Sequence, residues 1–69
     1  MTEKELLYVE DAVKHESNII QIVTDIINKL EDEELKDYME DKLNEHMAFK
    51  VELINALEDY ANEWSNING

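Results

Sequence analysis

The sequence predicts an all-α protein: an antiparallel two-helix hairpin that dimerises into a four-helix bundle. Three observations carry that prediction. Apolar residues recur at alternating three- and four-residue spacing along two stretches that fill almost the whole chain. A single acidic run, Glu31-Asp32-Glu33-Glu34, interrupts both stretches. Each stretch also carries a second apolar stripe beside its seam, more than one partner helix can cover.

The first helix opens on Thr2, with Glu5 three residues later, the spacing of a capping box. Its seam reads Leu6, Val9, Val13, Glu16, Ile20, Val23, Ile27 and Leu30, which sets the helix at about residues 3–30. Ala12, Ile19, Ile22 and Ile26 form the flanking stripe, and Lys29 suits the negative end of the helix dipole. The acidic turn falls at residues 31–32, where Asp32 is a good N-cap. Glu33 and Glu34 then lie in the first turn of the second helix, where the dipole favours carboxylates. That helix spans about residues 33–65, with Leu35, Met39, Leu43, His46, Lys50, Leu53, Leu57, Tyr60 and Trp64 along its seam. Met47, Val51, Ile54 and Ala61 lie beside it. Residues 65–69 are poor helix formers, so a frayed end is expected there.

Composition narrows the class. A chain of 69 residues is one small domain, and such a chain buries only about 60% of its unfolded surface. It has no cysteine, no proline and one glycine, so no disulfide staples it and nothing interrupts its helices. The 43% hydrophobic content and clear periodicity exclude a disordered acidic tail. Eighteen acids against six lysines, with no arginine, make nucleic acid and anionic membrane poor partners. No apolar run reaches the length of a membrane span, and Met1 to Glu5 lack a signal peptide's apolar core, so a cytoplasmic protein is expected.

A short turn makes the helices antiparallel neighbours. With Ile27 facing Met39, the register pairs Val23 with Leu43, Ile20 with His46, Glu16 with Lys50, and Leu6 with Tyr60. The one acid of the first seam then meets the one lysine of the second. Each helix is about 40 Å long at 1.5 Å per residue, and two cannot cover each other's stripes. Ala12, Ile19 and Ile26, with Met47, Ile54 and Ala61, are left over and form the expected dimer interface. A second copy is the economical partner, although another protein supplying two helices satisfies the same physics.

Burying a carboxylate without a partner costs several kcal/mol, so Glu16 must be paired, protonated, solvated or metal-bound. The first reading is a core polar layer of Glu16, Lys50 and His46, with Glu16 and Lys50 ion-paired to fix register. The second makes Glu16 and His46 metal ligands: a twofold dimer would present two of each to zinc, iron or manganese. Di-iron bundles use Glu-x-x-His, however, and the residue three before His46 is Leu43. No cofactor is otherwise implied. No catalytic residue is assigned, since there is no cysteine, no glycine-rich phosphate loop and no Ser-His-Asp set. Trp64 and Tyr60 are expected to pack on Leu6 and close the open end of the hairpin.

The stretch Leu6-Leu7-Tyr8-Val9-Glu10-Asp11-Ala12-Val13-Lys14-His15-Glu16 resembles the first helix of small ferritin-like proteins related to spore coat protein F. Leu30 to Tyr38, with its Glu34-Leu35-Lys36, followed by Glu45-His46 and Leu53-Ile54, is similar to their second part. The resemblance implies a ferritin-like half-bundle from a spore-forming bacterium and a coat-associated structural role. Three function classes therefore stand: a non-enzymatic structural or interaction module working as a homodimer, a metal-binding dimer using Glu16 and His46, and an acidic inhibitor of a basic protein partner.

Overall fold

The computed structural model describes the backbone of residues 1–68 and the side chains of residues 1–64. Two helices and no strand are found among the described residues: α1, Glu3–Ile27, and α2, Glu33–Asn68. They pack against each other as a hairpin.

Both helix starts follow from local side-chain chemistry. The Thr2 amide donates to the Glu5 carboxylate at 2.7 Å, and the Glu5 amide donates to the Thr2 hydroxyl at 3.1 Å. Two amides that the helix leaves unpaired are thus satisfied reciprocally. At the second start, the Leu35 amide donates to the Asp32 carboxylate at 2.9 Å, and the Lys36 amide begins the helical ladder on the Asp32 carbonyl at 2.9 Å. Asp32 is the N-cap that the sequence predicts.

The helix ends depart from the sequence reading. Helix α1 stops at Ile27, short of the expected residue 30. No glycine lies near to take a left-handed cap, and no described residue has positive φ. The last turn tightens instead: the Lys29 amide donates to the Ile26 carbonyl at 2.9 Å, and the Leu30 amide to the Ile27 carbonyl at 3.2 Å. Lys29 therefore lies beyond the helix, and the connection occupies residues 28–32. Helix α2 runs to Asn68, past the fray expected from residue 65, because no proline or glycine precedes Gly69 to stop it.

The hairpin is long and thin, 54 × 16 × 13 Å between Cα atoms. Its radius of gyration is 16.1 Å, where a compact domain of this length has about 11 Å. Among the described side chains only Ile27, 8% exposed, is buried; the other seam residues are half-buried or exposed. The accessible surface is 5449 Å², about 950 Å² more than the roughly 4,500 Å² expected for a globular protein of this mass. No described helix is long and apolar enough to cross a membrane.

Two predictions follow from the caps. Asp32→Ala should lower stability by about 1 kcal/mol, read as a shift in the urea midpoint at unchanged slope. The Glu5 carboxyl is held below the usual carboxylate range, first by its backbone hydrogen bond with Thr2 and then by the Thr2 side chain. Because its folded pKa is depressed, its contribution is complete above the unfolded pKa and disappears as pH falls through the folded one. Glu5→Gln, which keeps an acceptor but does not titrate, should therefore flatten the acid-side loss of helicity measured by circular dichroism.

Candidate functional site

The centre of the seam holds a polar contact that spans the hairpin. Glu16 projects from α1 as the only acid of its stripe, and His46 from α2 as the only imidazole of its own. Glu16 Oε2 and His46 Nδ1 are 2.6 Å apart. The carboxylate is 12% exposed and the imidazole 37%. The contact uses Nδ1 of the imidazole, and Nε2 is left facing away from the pair.

This pairing corrects the expected one. Among the described residues Glu16 meets His46 and Lys42 is ion-paired with Glu45 at 3.4 Å; Lys50 does not pair with Glu16. Lys50 instead lines a shallow apolar groove with Ile20, Met47, Val51 and Ile54. Its long flexible stem gains more by lying along that surface with the ammonium in water than by bending back into the seam. The rigid imidazole holds its nitrogen at the depth of the carboxylate without that entropic loss. Of the predicted polar layer, the structure brings together Glu16 and His46 and leaves Lys50 on its flank.

As a metal centre the pair is short of ligands within one chain. No group of three or more His, Asp or Glu residues suited to a metal occurs among the described residues. Glu16 is engaged on Nδ1, the arrangement in which a carboxylate orients a histidine rather than ligating beside it.

The six residues expected to form one interface do not share a face. Label each seam as alternating a and d positions. Ala12, Ile19 and Ile26 each precede an a residue of α1 and occupy position g; Met47, Ile54 and Ala61 each follow a d residue of α2 and occupy position e. Reversing one helix reverses the sense of rotation seen from a common end, so an antiparallel pair sets g beside g and e beside e. The grooves bear this out. Glu3 and Glu10, both at position e of α1, line one groove with Ala61, and Met47 and Ile54 line another. Neither groove includes Ala12, Ile19 or Ile26.

The true neighbours of Ala12, Ile19 and Ile26 are Leu35, Lys42, Phe49 and Ala56, at position g of α2. Leu35, Phe49 and the adjacent Tyr38 are 45%, 46% and 57% exposed. Lys42 lies 5.4 Å from the Tyr38 ring centre. The signal for these residues was present in the sequence, but it appears only once the antiparallel sense is applied to both stripes together.

At the open end, Leu6, Leu57, Tyr60, Ala61 and Trp64 line a groove walled by Glu3 and Glu10. Tyr60 and Trp64 share this groove with Leu6, and they do not close the end: Trp64 is 59% exposed. Comparison with protein families, with curated proteins and with solved structures found no match.

His46→Leu should destabilise the fold by about 2 kcal/mol, because it strands a half-buried carboxylate. Glu16→Leu combined with His46→Leu should recover most of that loss, since removing both partners leaves no unpaired charge. Lys50→Leu should change stability much less. Urea denaturation of the unaltered chain, Glu16→Leu, His46→Leu and the double variant completes the cycle, with Lys50→Leu measured beside them.

Proposed function

We propose that the chain is a non-enzymatic protein-interaction module that pairs with a second copy to complete a four-helix bundle. One observation carries the reading: among the described side chains the hairpin buries only Ile27, and it exposes large apolar side chains along both helices. Its surface excess of about 950 Å² over a globular chain is close to the roughly 800 Å² that one partner brings to a standard interface. A second hairpin supplies the missing wall with the same helix-on-helix packing already used in the first. A structural role in a spore coat draws its support from the resemblance of residues 6–16 and 30–38 to small ferritin-like coat proteins. Metal binding through Glu16 and His46, and inhibition of a basic partner, gain no observation of their own.

The charge sets a signature for the association. Each copy carries a net charge of −12, so the two repel, and salt screens that repulsion. Sedimentation equilibrium at micromolar concentration should give twice the 8.1 kDa chain mass, with tighter association as ionic strength rises. A monomer at every concentration and salt would exclude the proposal. Association that weakens with salt would instead point to an oppositely charged partner.

A further inference from the structure

Resting on that dimer reading, we infer which face pairs and in what orientation: the copies meet through Ile19, Ile22 and Ile26 of α1 and Tyr38 and Phe49 of α2, with their loops at opposite ends. The hairpin has two flanks, and they are unequal. On the Ile19 flank both helices are apolar; Tyr8, Ile22, Ile26, Leu35, Tyr38 and Phe49 are all exposed there. On the Met47 flank most of the apolar residues come from α2, while α1 offers Leu7 at its open end and Glu3, Glu10, Ser17 and Thr24 at the matching positions. The Thr24 hydroxyl is already satisfied by the Ile20 carbonyl at 2.7 Å, and Glu3 and Glu10 are carboxylates that a dimer of acidic chains would have to desolvate. A four-helix contact needs apolar surface from both helices of each copy, and the Ile19 flank provides it along much of its length.

The same flank fits itself in one direction. The seam register, reported by the contact of Glu16 with His46, places Ala12 between Phe49 and Ala56, Ile19 between Lys42 and Phe49, and Ile26 between Leu35 and Lys42. Ala12 and Ala56 make a shallow strip on the open half, beyond which Tyr8 stands exposed, and the loop half is bulky, with Ile26, Leu35 and Tyr38. A twofold axis crossing both helices at the level of Ile19 lays the bulky half of one copy on the shallow strip of the other, like helix over like helix. That is the interdigitation of large and small side chains that close packing needs. Charge agrees. At the loop end of this flank Lys42 is balanced by Glu45 and Lys29 adds a positive charge, while the open end carries Glu5, Asp59 and Glu63. Opposed copies set the acidic end of one over the nearly neutral end of the other, whereas copies with loops together would stack acids on acids.

The test is sedimentation equilibrium of the full chain with single charges placed on exposed positions of each flank. Ile22→Glu should weaken dimerisation by about a hundredfold or more, because the twofold buries two carboxylates. Met47→Glu should leave it within a few-fold of the original. A dimer broken by Met47→Glu, or one indifferent to Ile22→Glu, would overturn the face assignment. If the unaltered chain is itself a monomer, the dimer reading fails and not merely the choice of face. Orientation is read by cross-linking, for the chain has no cysteine of its own. An oxidised mixture of Ala12→Cys and Ile26→Cys chains should form the mixed disulfide. Cross-linking of Ala12→Cys with Ala56→Cys instead, or no mixed product in either case, would overturn the opposed arrangement.

Discussion

A helix presents its apolar residues over a stripe wider than one neighbouring helix can cover, and this single constraint governs the molecule. In the hairpin each seam meets the other, yet among the described side chains Ile27 alone becomes buried, because the other described seam residues have water on at least one side. Close-packed interiors need atoms on all sides of a side chain. Two rods in contact along one line cannot supply them. The extended shape, 54 Å long with a radius of gyration of 16.1 Å, expresses the same fact. Everything proposed about function follows from surface that the chain makes apolar and does not itself cover.

The seam contains one place where packing and polarity conflict, and the conflict is resolved inside the chain. Glu16 is 12% exposed and would be costly alone; His46 meets it at 2.6 Å. The contact links residues thirty positions apart and so reports the tertiary register, unlike the caps at Thr2 and Asp32, which are local. A hydrogen-bonded polar pair in an apolar seam contributes specificity more than stability, since sliding either helix by a turn would strand the carboxylate. The half-exposed imidazole ties this register to the surface where further helices would pack.

Much of this was legible in the residues. Thr2, Glu5 and Asp32 act through hydrogen bonds to amides within three residues, and such signals need no knowledge of the fold. The seams were legible because their spacing is regular. Glu16 could be seen to need a partner, but His46 and Lys50 stand one turn apart on the same stripe, and side-chain length and stiffness chose between them. The end of α1 was not legible, because Asn28 to Leu30 continue the apolar spacing while the backbone has already tightened. The flanks were half legible: each stripe is visible by itself, but which stripes lie side by side depends on the antiparallel sense. Ala12, Ile19 and Ile26 belong with Phe49 and Ala56, and Met47, Ile54 and Ala61 lie opposite.

The central claim is that the helices depend on a second copy for their burial. Far-ultraviolet circular dichroism of the unaltered chain on serial dilution tests it most directly, with subunit mass followed in parallel. The account predicts that helical signal falls as the dimer dissociates, because an isolated hairpin retains little more than its caps and one buried side chain. Full helicity persisting in a chain shown to be monomeric would contradict it.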